Sequence, residues 1–261
     1  MDHISQLVDA AFDRIESMDT KGRRDEEFAA AFLNTLYNDG GPASCDNLLY
    51  RIGKEIPDDH TFFLQMYICM LASKHEVDEA MLRAEEIRET ADLSHDVRTY
   101  EYVVACTRIS QHIEDDAHAK MILGTARKHA WTIEGEIARL HAFLELSNAA
   151  GTIDEARQDR LVVADIVKQA DQRGDITTVA HAWISFAACT CEQESFDNAV
   201  RCIRSVSDPN NRESLNAYFY EVLLDVEPKK AMSIAKRLPF PPERDRAIRL
   251  LVHRDPSKLL S

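Results

Sequence analysis

The residues best equipped for chemistry lie in two short stretches. In "ADLSHDVRTYEYVVA" (Ala91–Ala105), His95 and Asp96 are adjacent at the entrance of a helical pattern. A vicinal imidazole and carboxylate can serve neighbouring metal ions from one helix edge. The stretch "HIEDDAH" (His112–His118) gathers two histidines and three carboxylates. Glu114 and His118 stand four apart, the spacing that puts two ligands on one helix face. Both stretches also read as ordinary corners, where Asp, Asn, Ser and His turn the chain and cap the next helix. Cys189 and Cys191 diverge on a helix, and no second CxC or CxxC completes a four-thiolate zinc site. Phosphate-cradling GxxxxGK[ST] or GxGxxG loops, GxSxG elbows and HExxH helices do not occur.

The stretch "LSHDVRT" resembles the Leu-x-His-Asp-Ile-x-Lys pattern of metal-dependent, all-helical HD-type phosphohydrolases. That resemblance implies a hydrolase using His95-Asp96, with His60 or His75 as an earlier metal ligand and Asp115 or Asp116 as a later one. The composition frames the alternative. Only eight glycines and eight prolines punctuate 261 residues, and no proline falls between Pro57 and Pro209. Such a chain, rich in Ala, Glu, Arg and Leu, is expected to be helical throughout.

Apolar residues three and four apart recur in segments separated by short polar corners, which predicts helix pairs, A then B. Several B helices carry a small residue followed by an aromatic: Ala31-Phe32, Ala142-Phe143, Ala182-Trp183 and Ala217-Tyr218. Met66-Tyr67 and Glu101-Tyr102 fit less well, and Ala247-Ile248 lacks the aromatic. The second positions, Phe32, Tyr67, Tyr102, Phe143, Trp183, Tyr218 and Ile248, are 35, 35, 41, 40, 35 and 30 residues apart. The A helices show a parallel series at Ile15, Ile52, Ile87, Ala126, Ile166, Ile203 and Ile234. Two helices and two short connections consume this period. The corners "KEIPDDHTFF", "RETADLSHDV", "RSVSDPNNRE" and "KRLPFPPERD" supply capping Asp and Ser, and prolines where a backbone donor is dispensable.

One helix pair cannot bury both apolar faces, so successive pairs must stack. The sequence therefore predicts one all-α domain over 1–261, a right-handed α-α superhelix of about seven antiparallel pairs. The approximate repeats are 1–40, 43–75, 77–112, 115–150, 153–192, 195–226 and 228–261. This resembles the tetratricopeptide-like and HEAT-like α-solenoid superfamily along nearly the whole chain. The Trp-Leu-Gly-Tyr and later Ala/Phe/Pro signature of true tetratricopeptide repeats is met in no unit, and the uneven period is closer to HEAT-like arrays.

The resemblance implies a non-enzymatic scaffold that binds a protein or peptide along a groove lined by A helices. Arg51, Lys54, Arg83 and Glu86 would present polar contacts there, and Trp131, expected to fill the gap between adjacent repeats, could as an exposed indole anchor a peptide instead. No catalytic residue, cofactor or metal is expected. Trp183 is expected in the core. The net charge of −14 argues against a nucleic-acid or anionic-membrane surface. Residues 229–261 nevertheless hold nine Lys/Arg against three Asp/Glu, a net of +6 that leaves −20 on residues 1–228. Arg244, Arg246, Arg249 and Arg254 spread along this basic repeat, which could pair with the acidic face of a second copy and build a self-assembling subunit. The acidic start does not resemble a signal peptide, and "FFLQMYICMLA" is too short to span a bilayer and is broken by Gln65. The expected location is cytoplasmic, with reduced cysteines.

Overall fold

The computed structural model describes residues 3–90 and 93–254. Every regular element among them is a helix: α1 (His3–Glu16), α2 (Thr20–Arg23), α3 (Glu26–Gly40), α4 (Pro42–Glu55), α5 (Pro57–Ser73), α6 (Val77–Glu89), α7 (His95–Ser110) and α8 (Asp116–Ala130), then α9 (Glu136–Ala149), α10 (Ile153–Gln172), α11 (Ile176–Thr190), α12 (Gln193–Ser205), α13 (Pro209–Asp225), α14 (Pro228–Arg237) and α15 (Pro241–Arg254). Leaving aside the single turn α2, these are the expected pairs. The A helices are α1, α4, α6, α8, α10, α12 and α14. No helix among the described residues is long and apolar enough to cross a membrane.

The corners fold for local reasons. Pro57, Pro209 and Pro241 open α5, α13 and α15, where the missing N–H has no partner to lose. Ser94, Asp115 and Asp208 accept from the amides of Val97, Ala117 and Asn211 and so cap α7, α8 and α13. His75 and Cys191 adopt positive φ at corners, with Cys191 closing α11 in the left-handed conformation.

The chain divides into two compact units, residues 1–133 and 134–261. In the first, the B helices α3, α5 and α7 pack one on the next, α4 and α6 each wedge between the B helices before and after them, and α8 packs on α7. The second repeats the plan with α9, α11, α13 and α15 as the B row. Substantive A-to-A packing among the described residues is confined to α1–α4, with a slight contact between α12 and α14.

Burial follows this plan. The A anchors Ile15, Ile52, Ile87, Ala126, Ile166, Ile203 and Ile234 are all buried, none more than 4% exposed. A B helix has neighbours on several sides and buries residues nearly all round, as α5 does from Phe63 to Ile68. Tyr67, Tyr102 and Phe143 are core residues as expected. Phe32, Trp183 and Tyr218 are only half-buried, and the next residues, Leu33, Ile184 and Phe219, take the core positions. Trp183 is therefore not a fully buried core residue but packs against the edge of the second unit's core.

Candidate functional site

The most chemically furnished surface is a groove in the first unit, across the N-terminal halves of α5 and α7. Two cavities of about 250 and 660 Å³ share Arg24, Asp58, Thr61 and Glu101 in their walls. The smaller is floored by Gln65 and Met66 and walled by Phe62 and Val104; the larger reaches His60, Leu93 and Val97.

The rim is built from an element that the sequence did not announce. Asp19 accepts from the Gly22 amide and winds the turn α2, which delivers Arg23 and Arg24 onto one carboxylate. Asp59, 1% exposed, lies 2.7 Å from Arg23 Nε and 2.6 Å from Arg24 Nε. Arg24 also donates to the Asp58 carbonyl at 2.6 Å. The basic run "KGRR", with no assigned role in sequence, thus ties the α1–α3 connection to the start of α5. A buried carboxylate is tolerated only with such partners.

The floor is a polar pair from successive B helices. Gln65 Nε2 donates to the Glu101 carbonyl at 2.7 Å and to its Oε2 at 3.1 Å. That double donation fixes the orientation of the amide, since a flip would set oxygen against two oxygens. Gln65 is 4% exposed, and its Oε1 is buried with no hydrogen-bond partner. Burial raises the Glu101 carboxyl above the usual carboxylate range, partly offset by the Gln65 hydrogen bond and by Arg108. Burial lowers His60, which packs against Gly53 on α4, with Glu86 acting in the opposite direction. Arg108 pairs with Glu26 at 3.3 Å and points a second nitrogen at Cys69 Sγ.

Most residues singled out from sequence lie elsewhere and are engaged with their neighbours. Arg51 bridges Asp9 on α1 and Glu55 on its own helix, with its guanidinium 4.0 Å from the Phe12 ring centroid. Arg83 contacts Asp46, Glu79 and Glu86 and is 6.0 Å from the Tyr67 ring centroid. These two arginines each lash an A helix to the preceding one, and Glu86 belongs to the second lashing. Lys54 is exposed near the end of α4. Trp131 caps the C-terminus of α8 and is 57% exposed, where the sequence favoured a gap-filling indole between repeats. In the second unit, Arg246 stands 4.8 Å from the Tyr220 ring centroid, Arg249 is exposed and Arg244 half-buried. The Arg254 and Cys189 side chains lie outside those described, as do Ala91 and Asp92.

His95 opens α7 behind its Ser94 cap, with Nε2 3.3 Å from the Thr132 carbonyl. Asp115 is a cap and His75 a corner residue. Among the described residues, no group of three or more His, Cys, Asp or Glu side chains could hold a metal ion.

The second unit contains a polar cluster that sequence reading missed. Ser185 Oγ donates to the His181 carbonyl at 3.0 Å and lies 3.3 Å from Tyr218 Oη and 3.5 Å from His141 Nδ1. The Tyr218 ring sits beside both imidazoles. Burial, then the neighbouring His181, lower His141 to about 4. A sequence signal existed: His141 and His181 stand two residues before the aromatics Phe143 and Trp183, as Gln65 stands before Tyr67.

No protein-family model matches the chain, and neither does any curated protein or solved structure.

Proposed function

We propose that the chain is a non-enzymatic interaction scaffold of the tetratricopeptide-like or HEAT-like kind, whose A helices carry the partner-binding face. One observation supports this above the others: most of the exposed large apolar residues lie on A helices, Val97 on α7 and Val252 on α15 being the B-helix exceptions and Trp131 lying at a corner. Tyr50 on α4 (74% exposed), Leu82 on α6 (57%) and Met121 on α8 (62%) supply one for each of three successive A helices in the first unit. In the second, Ile153 and Leu161 on α10 are 88% and 62% exposed. Apolar anchors on an otherwise charged surface are what a protein partner buries on docking. The lashed pairs Arg51–Asp9 and Arg83–Asp46 then serve as a frame that holds the A helices at fixed separation, rather than as the contacts themselves. Cys45, Cys69, Cys106, Cys191 and Cys202 are free thiols, which suits the reducing cytoplasm in this reading.

The test is affinity capture with the wild-type chain and a triple variant, Tyr50→Glu, Leu82→Glu and Met121→Glu. These side chains face solvent, so the helical circular dichroism should be unchanged. A partner retained by the wild type and lost by the variant supports the reading; a partner retained equally by both overturns the assignment to the A face.

A further inference from the structure

We infer that the groove over α5 and α7 is a binding site for an organic cation, a guanidinium or ammonium group on a short aliphatic stem, held by Glu101, Gln65 and Asp58. This goes beyond the scaffold reading and does not depend on it, because the groove uses none of the exposed A-helix residues.

The inference rests on which polar groups in the groove are already committed. Its charged donors and the Gln65 amide nitrogen are engaged. Arg24 is bound by Asp59 and the Asp58 carbonyl, Arg108 by Glu26, and the Gln65 amide nitrogen by two oxygens of Glu101. Its acceptors are not. Gln65 Oε1 is buried and unmatched, which is unfavourable in an unliganded fold. Asp58 stands exposed at the lip. The charges agree: Glu26, Asp58, Asp59 and Glu101 face Arg23, Arg24 and Arg108, which leaves one negative charge uncompensated, with His60 held neutral by its burial.

The walls specify the rest of the ligand. Phe62, Met66 and Val104 line the smaller cavity. An aromatic face attracts a cation, and the aliphatic surface suits a methylene stem. The 250 Å³ space is narrow enough for one such group, and the adjoining 660 Å³ gives the remainder of the molecule room to leave. An anion would meet Glu101 and Asp58, with arginines already engaged by carboxylates and only the uncharged Thr61 hydroxyl and His60 ring beside them.

The cation can arrive on a free small molecule or on an arginine side chain of a peptide, and titration calorimetry on the full chain separates the two. The probes are agmatine and the peptide acetyl-Gly-Arg-Gly-amide. Saturable binding of agmatine at least as tight as the peptide assigns the site to a free amine; binding of the peptide about tenfold tighter assigns it to a side chain. In either case Glu101→Gln should weaken binding by about tenfold or more, as expected for losing a charge-assisted hydrogen bond. Asp58→Asn, at an exposed position that does not threaten folding, should weaken it in the same direction. Absence of saturable binding of both probes up to about 10 mM, a limit near −2.7 kcal/mol, overturns the inference. So does equal binding by wild type and both variants.

Discussion

At the residue scale, the informative side chains are those that break the repeat. Gln65 interrupts the most apolar run in the chain, and Glu101 occupies a position that Ala fills in every other B helix but α5. The structure places these two misfits against each other and makes them the floor of the groove. Their departures from pattern were visible in sequence, but their pairing was not, because it joins helices 36 residues apart. His141 and His181 are a second break in the same row. His141 is depressed to about 4 in the folded chain, against an ordinary 6.5 when unfolded, so the unfolded chain binds more protons between those values. Stability contributed by the neutral imidazole is complete above about pH 6.5 and falls as the pH drops toward 4, by roughly 3 kcal/mol at full protonation. Urea unfolding followed from pH 7 to 4 should show this slope, and His141→Gln should flatten it. An unchanged slope in the variant would assign the acid sensitivity to other groups.

At the element scale, the two kinds of helix differ in how much the sequence says about them. An A helix rests one stripe on the B helices flanking it, so its period identifies the inward residue without ambiguity, and all seven A anchors are buried. A B helix is enclosed by neighbours and apolar on most sides, so a rotation by one residue leaves the pattern nearly as good. This is why Leu33, Ile184 and Phe219 occupy the core instead of Phe32, Trp183 and Tyr218. Corners are legible wherever a cap or proline fixes them. Asp208 is such a cap, bonded to the Asn211 amide at 2.8 Å and followed by Pro209. Asp208→Ala should cost about 1 kcal/mol, read as a lower urea midpoint at unchanged m. The turn α2 was not legible, since four residues carry no period; it is specified by Asp19 and by the distant Asp59.

At the scale of the whole molecule, sequence-local packing makes stability uneven. The last pair, α14 and α15, makes only thin contact with α12 and α13, whereas α11 and α12 are packed extensively. Stability in such arrays is a sum over neighbours, and elements with few neighbours open first. Amides of α14 and α15 should exchange with deuterium well before those of α11 and α12, and uniform exchange across all four would show a single cooperative block instead. The A helices have a different kind of freedom. Tyr50, Leu82 and Met121 project from helices whose opposite faces hold the fold, so their replacement leaves the packing untouched. Selection can therefore rewrite that surface residue by residue while the enclosed B row holds the architecture constant.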